Sequence, residues 1–168
     1  MTPREFVDNA AALIGLSYAE CDCIGVVRRA ARIRCQGTNW LWRSVDYAGK
    51  YRYLLHRLDR APAEQELRDG MLVFRIAWNQ VPAGYDDKPN CYHVGIISGH
   101  DVIQSGEKYG VTRKPYYVDE WQGCGWLRQV DYTTSGPAVP DDSAGGTDDY
   151  PSDHDMLCAI YDYIIGRD

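Results

Sequence analysis

Tyr92-His93-Val94-Gly95-Ile96-Ile97-Ser98-Gly99-His100-Asp101-Val102-Ile103-Gln104-Ser105 is the stretch on which the architecture turns. Two short runs rich in Val and Ile flank Gly99-His100-Asp101, which predicts two strands joined by a tight turn. Side chains alternate across a strand, so His93, Gly95 and Ile97 share one face. Tyr92, Val94 and Ile96 take the other. Gln104 lies on the returning strand, near a neighbour of His93. Its side-chain oxygen is placed to accept from one ring nitrogen of His93, which would fix the tautomer and the ring orientation.

Outward from this hairpin the alternating period continues. Met71 to Ile76 reads as a strand with Leu72, Phe74 and Ile76 on one face. Val111 to Val118 and Gly125 to Val130 read as two more. Trp78 to Asn90, with two prolines, a glycine and two aspartates, is a polar loop directly before the His93 strand.

The N-terminal part has helical period instead. Thr2-x-x-Glu5 forms a capping box with Pro3 in the first turn, predicting a helix over Pro3 to Ile14 that Gly15 ends. Phe6, Val7, Ala10, Leu13 and Ile14 give it one apolar stripe. A second helix is expected from Cys23 to Cys35, with Asp22 as N-cap, Val26, Val27, Ala30 and Ile33 facing inward, and Gly37 past its end. A third is expected from Val45 to Leu58, with Ser44 as its cap. Helices first and an antiparallel sheet after them make an α+β plan. Residues 1–132 form the expected domain. Residues 133–168 read as an acidic linker rich in Gly, Pro and Ser, with a short helix at Met156 to Ile165.

Composition narrows the function classes. The chain has 168 residues and a formal net charge of −6, so a nucleic-acid surface is not expected. Arg28, Arg29, Arg32 and Arg34 cluster on one helical segment and read as its solvated face. No apolar run approaches the ~18–20 residues of a membrane span. No apolar leader segment is visible at Met1 to Ala10, so the chain as given reads as soluble, without a classical signal. Six cysteines in a chain of this size, with no secretory signal, are expected to be free thiols. The thirteen Tyr and five Trp suit either a surface that grips a polar peptide or sugar, or the edges of a core.

Two residues carry candidate chemistry. Behind Asp22, Cys23 occupies the first turn of a helix, where the dipole and unpaired amides favour an anion and are expected to lower the thiol pKa. The alternative for any one cysteine is a small buried hydrophobe. His93 at the edge of a core face is either a base or a structural hydrogen bonder.

Taken in order, Tyr18, Asp22-Cys23-Ile24-Gly25-Val26-Val27, Gly70-Met71-Leu72-Val73-Phe74, His93-Val94-Gly95-Ile96-Ile97 and Val102-Ile103-Gln104-Ser105 resemble the NlpC/P60 family of cysteine peptidases. The resemblance runs over about Phe6 to Val130. It implies a papain-like α+β fold in which the Cys helix packs on an antiparallel sheet carrying the His. It also implies hydrolysis of the γ-D-glutamyl–diamino-acid bond of peptidoglycan stem peptides, without metal or cofactor. By position Cys23 matches the nucleophile, His93 the base and Gln104 the third polar residue. Tyr18 matches a tyrosine beside the site, and Asp22 matches a residue that in some members contacts the peptide amino end. Ile24 departs from the usual Ser, Met71 from the usual Asp, and Gln104 from the commonest His.

Tyr85, with Asp86 and Asp87, is expected to wall the substrate groove from the loop before the His strand. Trp40 and Trp42 either line the groove or cover the sheet. Rival readings remain open at this point. Cys21, Cys23, Cys91 and His93 form a possible Cys₃His zinc set, although Cys-x-Cys spacing is unusual for one. The others are an inactive adaptor of a phage or envelope assembly, and a papain-like amidase or acyltransferase. The muropeptide is the expected partner.

Overall fold

A computed structural model describes residues 1–44 and 53–134. Three helices come first: α1 (Pro3–Ala11), α2 (Cys23–Ala31) and α3 (Thr38–Arg43). Six strands follow: β1 (Leu54–Leu58), β2 (Leu72–Ala77), β3 (Asn90–Ser98), β4 (Asp101–Gly106), β5 (Gly110–Pro115) and β6 (Gly123–Leu127). They form one antiparallel sheet in the order β1-β6-β2-β3-β4-β5. The architecture is therefore α+β.

Local chemistry starts α1 as its sequence predicts. The Thr2 hydroxyl accepts from the Glu5 amide at 3.1 Å, and the Glu5 carboxylate accepts from the Thr2 amide at 2.7 Å. Two otherwise orphaned donors are satisfied reciprocally. Phe6, Val7 and Ala10 are buried. The helix ends before its apolar stripe does. Leu13 and Ile14 bond back to Ala10 and Ala11 in tighter turns, and Gly15 takes φ +97°. The Gly15 amide then donates to the Val111 carbonyl at 3.0 Å, and the Val111 amide to the Leu16 carbonyl at 2.8 Å. The chain leaving α1 is thus stitched to β5.

α2 also stops short of the expected Cys35. Arg32 adopts the left-handed conformation (φ 57°), and the Ile33 amide returns to the Arg28 carbonyl at 3.0 Å. That closes the last turn without a glycine. Arg28, Arg29, Arg32 and Arg34 are exposed, as a solvated face should be.

The third expected helix, Val45 to Leu58, is overturned in its second half. Leu54–Leu58 is strand β1, paired with β6 through Leu54↔Leu127, His56↔Trp126 and Leu58↔Cys124. Long-range pairing overrides local helical spacing here. Ser44 does not cap a helix start. Its hydroxyl donates to the Leu41 carbonyl at 2.7 Å and accepts from the Tyr53 and Leu54 amides, each at 3.2 Å. The first half of that segment, and the helix expected at Met156 to Ile165, lie outside the described residues, as does nearly all of the expected linker.

The core lies between the helices and one face of the sheet. Leu72, Phe74, Ile76, Val94, Ile96 and Ile103 belong to one buried cluster with Phe6, Val26, Val27 and Trp42. The Trp42 ring stands edge-on to Phe74 with centroids 5.0 Å apart, so Trp42 is core cover. The opposite face carries Val73, Gly95, Ile97 and Val102, roofed by Trp121. Asp69 accepts from the Gly99 amide at 2.6 Å and braces the β3–β4 turn.

Candidate active site

The start of α2 is built for close approach. Asp22 Oδ1 accepts from the Gly25 amide at 2.7 Å, as an N-cap does. A Cβ on Gly25 would fall 2.7 Å from that same oxygen and 3.3 Å from Cys21 Sγ. Glycine is therefore what lets the cap close. The Val26 amide enters the helical ladder at the Asp22 carbonyl, 3.1 Å away. The two amides before Gly25, those of Cys23 and Ile24, remain at the helix mouth, and both favour a negative charge on the Cys23 sulfur.

Hydrogen-bond alternation in the sheet fixes what this mouth meets. The Ile97 amide donates toward β2, to Met71, and its carbonyl accepts from Gly70. Alternate residues face alternate neighbours, so Ile96 and Val94 direct their backbone groups at β4. The β3–β4 register runs Ser98↔Asp101, Ile97↔Val102, Ile96↔Ile103. Two residues further, Val94 would meet Ser105. Instead the Ser105 hydroxyl donates to the Cys21 carbonyl at 2.5 Å. The Val94 amide is directed at the Cys23 sulfur, where it works to lower the thiol pKa. The loop into α2 is wedged where the two strands part.

His93 is the residue before Val94. Its Nε2 lies 2.6 Å from Gln104 Oε1. With that oxygen as acceptor, Nε2 carries the proton and Nδ1 keeps the lone pair in the neutral ring. Gly95 stands between the two chain positions. A Cβ there would lie 2.4 Å from Val102 Cγ1 and 3.1 Å from Trp121 Cη2, so the bare backbone admits the Trp121 roof. Trp121 stacks on the His93 ring, with centroids 5.8 Å apart and planes 22° from parallel.

Burial dominates the electrostatics. It raises the Cys23 thiol pKa, with the Val94 amide pulling back, the Asp22 charge raising it further, and the Ile24 and Cys23 amides lowering it. The depressed thiol pKa expected from the helix dipole is therefore overturned in direction. Burial lowers the His93 pKa, against the opposing pull of the Gln104 bond. Both shifts favour a neutral thiol and a neutral imidazole over the thiolate–imidazolium pair.

Of the other residues read from sequence, Tyr18 is half-buried. Burial raises its pKa first, then the charges of Cys23 and Asp22, so its hydroxyl stands within electrostatic reach of the thiol. Asp22 is engaged as the cap just described. Tyr85 lies against Arg43, whose guanidinium carbon is 4.5 Å from the ring centroid. Arg43 also donates to the Asp87 carbonyl at 3.0 Å and the Pro89 carbonyl at 2.7 Å. The loop before β3 is thus fastened to α3.

The zinc alternative does not assemble. Among the described residues no three His, Cys, Asp or Glu side chains converge as metal ligands. A bulge explains why: Cys91 pairs with Ile76 and His93 with Arg75, which turns the two side chains to opposite faces. Cys21, Cys23, Cys35, Cys91 and Cys124 are free and buried. Among the described residues no helix is long and apolar enough to cross a membrane.

Sequence reading missed Ser105, Arg75, Glu120 and Trp121. Ser105 had a signal: alternation from Gln104 puts its hydroxyl on the helix-facing side. The others had none, because their approach to His93 depends on register across three strands.

No family model matches the chain, and no curated protein matches it. A crystal structure described as an NlpC/P60 family protein from Bacillus cereus is similar over 74% of this chain, at 18% identity and a TM-score of 0.46. That similarity covers 39% of the other protein, so the chain spans well under half its length.

Proposed function

We propose that this chain is a cysteine hydrolase that cleaves peptide-type amide bonds, with Cys23 as nucleophile, His93 as base and Gln104 as the group orienting the base. The observation that carries the reading is the 2.6 Å His93–Gln104 bond, made one residue before the amide that faces the Cys23 sulfur. In this mechanism Nδ1 of His93 takes the thiol proton as the sulfur attacks the substrate carbonyl. The Cys23 and Ile24 amides at the helix mouth receive the developing oxyanion. His93 then protonates the leaving amine, and water, deprotonated by the same ring, cleaves the thioester.

The finer reading is an endopeptidase for the γ-D-glutamyl–diamino-acid bond of peptidoglycan stem peptides. It rests on the resemblance of the motifs around Cys23, Gly70, His93 and Gln104 to the NlpC/P60 pattern. Tyr18 and Asp22, beside the thiol, are then the contacts to the peptide, and Tyr85 a contact from the loop before β3. Mass spectrometry of defined muropeptides incubated with the protein tests it. Fragments bearing a free diamino-acid amine, absent with Cys23→Ala, are the expected result. Transfer of the acyl group to a second amine would make the chain a transferase instead. No turnover of any muropeptide would overturn the endopeptidase reading.

A further inference from the structure

Arg75 is the register partner of His93 across β2 and β3. Directly paired residues on one face bring their Cβ atoms to about 4.5–5.5 Å. Trp121 spans the pair. Its ring stacks on His93 and also receives the Arg75 guanidinium, whose carbon is 5.0 Å from the ring centroid. Glu120, the residue before Trp121, closes an ion pair with the Arg75 Nη2 atom. One side of the imidazole is therefore held by a permanent cation, its counter-charge and a shared indole. Nothing in the hydrolytic mechanism uses these three groups.

We propose that Arg75, Glu120 and Trp121 form a charge clamp on His93, in which Arg75 disfavours the imidazolium and Glu120 sets how strongly it does so. The inference deepens the reading of His93 as a base and rests on it. Arginine stays charged at any working pH, so an imidazolium beside it meets like-charge repulsion. Glu120 relieves part of that repulsion. The charges act in those two directions on the ring: Arg75 lowers its pKa and Glu120 raises it. Among the described residues, the other group against the ring is the neutral Gln104 amide from β4; the Cys23 thiol of α2, with Tyr18 and Asp22 around it, meets the backbone at Val94. Arg75 and Glu120 are both partly open to solvent, with side chains 33% and 44% exposed. The clamp is therefore adjustable from outside, whereas the Gln104 bond is half-buried. These are positioning residues, acting through His93.

The test is a titration of the His93 ring by NMR in the intact chain, beside a pH–rate profile on a muropeptide. Arg75→Gln should move the His93 midpoint up, and Glu120→Gln should move it down. Trp121→Phe keeps an aromatic roof and should shift the midpoint less than either. A merely structural role would move both charge variants the same way, or neither, and would overturn the clamp. Melting curves confirm that each variant is folded. The NMR midpoint needs no turnover. Absent hydrolysis with opposite shifts would therefore sink the hydrolase reading and leave the clamp. Active variants with unmoved midpoints would do the reverse.

Discussion

The two ends of the β3–β4 pair obey different rules. At the turn, Ser98↔Asp101 and Ile97↔Val102 close an ordinary ladder, and Asp69 bonds the Gly99 amide to hold the turn. Four residues away, Val94 and Ser105 spend their polar groups on the chain entering α2. Backbone donors released where a ladder opens must find partners. Here the Val94 amide finds a thiol, and the Ser105 side-chain hydroxyl takes the carbonyl two residues before it. The zipped end supplies rigidity, and the parted end supplies a donor, a slot and an imidazole.

The most forceful way to break that contrast is to remove chemistry from the parted end alone. Cys23→Ala should abolish muropeptide hydrolysis, and His93→Ala should cost at least ~10³-fold in kcat/KM, by analogy with triad deletions. Gln104→Ala should retain about two orders of magnitude more activity than either, as the orienting member of such a set does. Thermal melts should stay close to the parent, because the zipped end is untouched. Turnover surviving in Cys23→Ala would remove the nucleophile.

How much of this was legible beforehand follows from the range of each interaction. The Thr2–Glu5 box, the Asp22 cap, the β3–β4 turn and the faces of His93 and Gln104 depend on neighbours a few residues apart, and spacing reveals them. Strand β1 reads as helix from its local spacing because its partner β6 is some seventy residues away, and only that pairing makes Leu54–Leu58 extended. The thiol pKa departs from the local expectation for a related reason. The helix dipole is visible in sequence, but the burial that outweighs it depends on the sheet laid over the sulfur. The Trp121 roof requires β6 to insert between β1 and β2, which no local pattern encodes.

That burial sharpens the comparison through pH. His93 titrates below its ordinary value of 6.5 in the folded chain, so the unfolded chain binds the proton first as pH falls. The stability it contributes is present above about pH 6.5 and is lost as pH drops through the folded value. The thiols run the other way. Burial raises all five described cysteines, Cys35 and Cys124 to about 12. Their contribution is present below the unfolded value near 9 and lost as pH climbs above it. Urea midpoints against pH should therefore fall on both sides. The rate of hydrolysis should rise with a midpoint under 6.5 and stay level through neutrality. A midpoint above 6.5 would mean that the imidazolium is favoured at the parted end, contrary to its burial.

Gly25→Ala strains the helix mouth from inside. Alanine gains up to ~1 kcal/mol of helix propensity over glycine. Its Cβ, however, would sit 2.7 Å from Asp22 Oδ1, and losing the cap costs about 1–2 kcal/mol. The clash should win, giving a net loss under about 1 kcal/mol in chemical denaturation. A larger fall in kcat should accompany it, since the Cys23 and Ile24 amides move with the cap. A stabilised and fully active variant would show that the cap does not govern the mouth.

Ser105→Ala leaves the reacting groups in place, and it addresses the wedge itself. The hydroxyl is fully buried and donates to the Cys21 carbonyl. Deleting it leaves a buried acceptor without its partner, at a cost of about 1–3 kcal/mol if nothing replaces it. The informative quantity is amide exchange at Val94. If Ser105 holds the α2 entry between the strands, its loss should speed exchange at Val94 while Ile97, inside the β2–β3 ladder, keeps its protection. Equal change at both amides would mean that the whole sheet has loosened, and that Ser105 is only one more core contact.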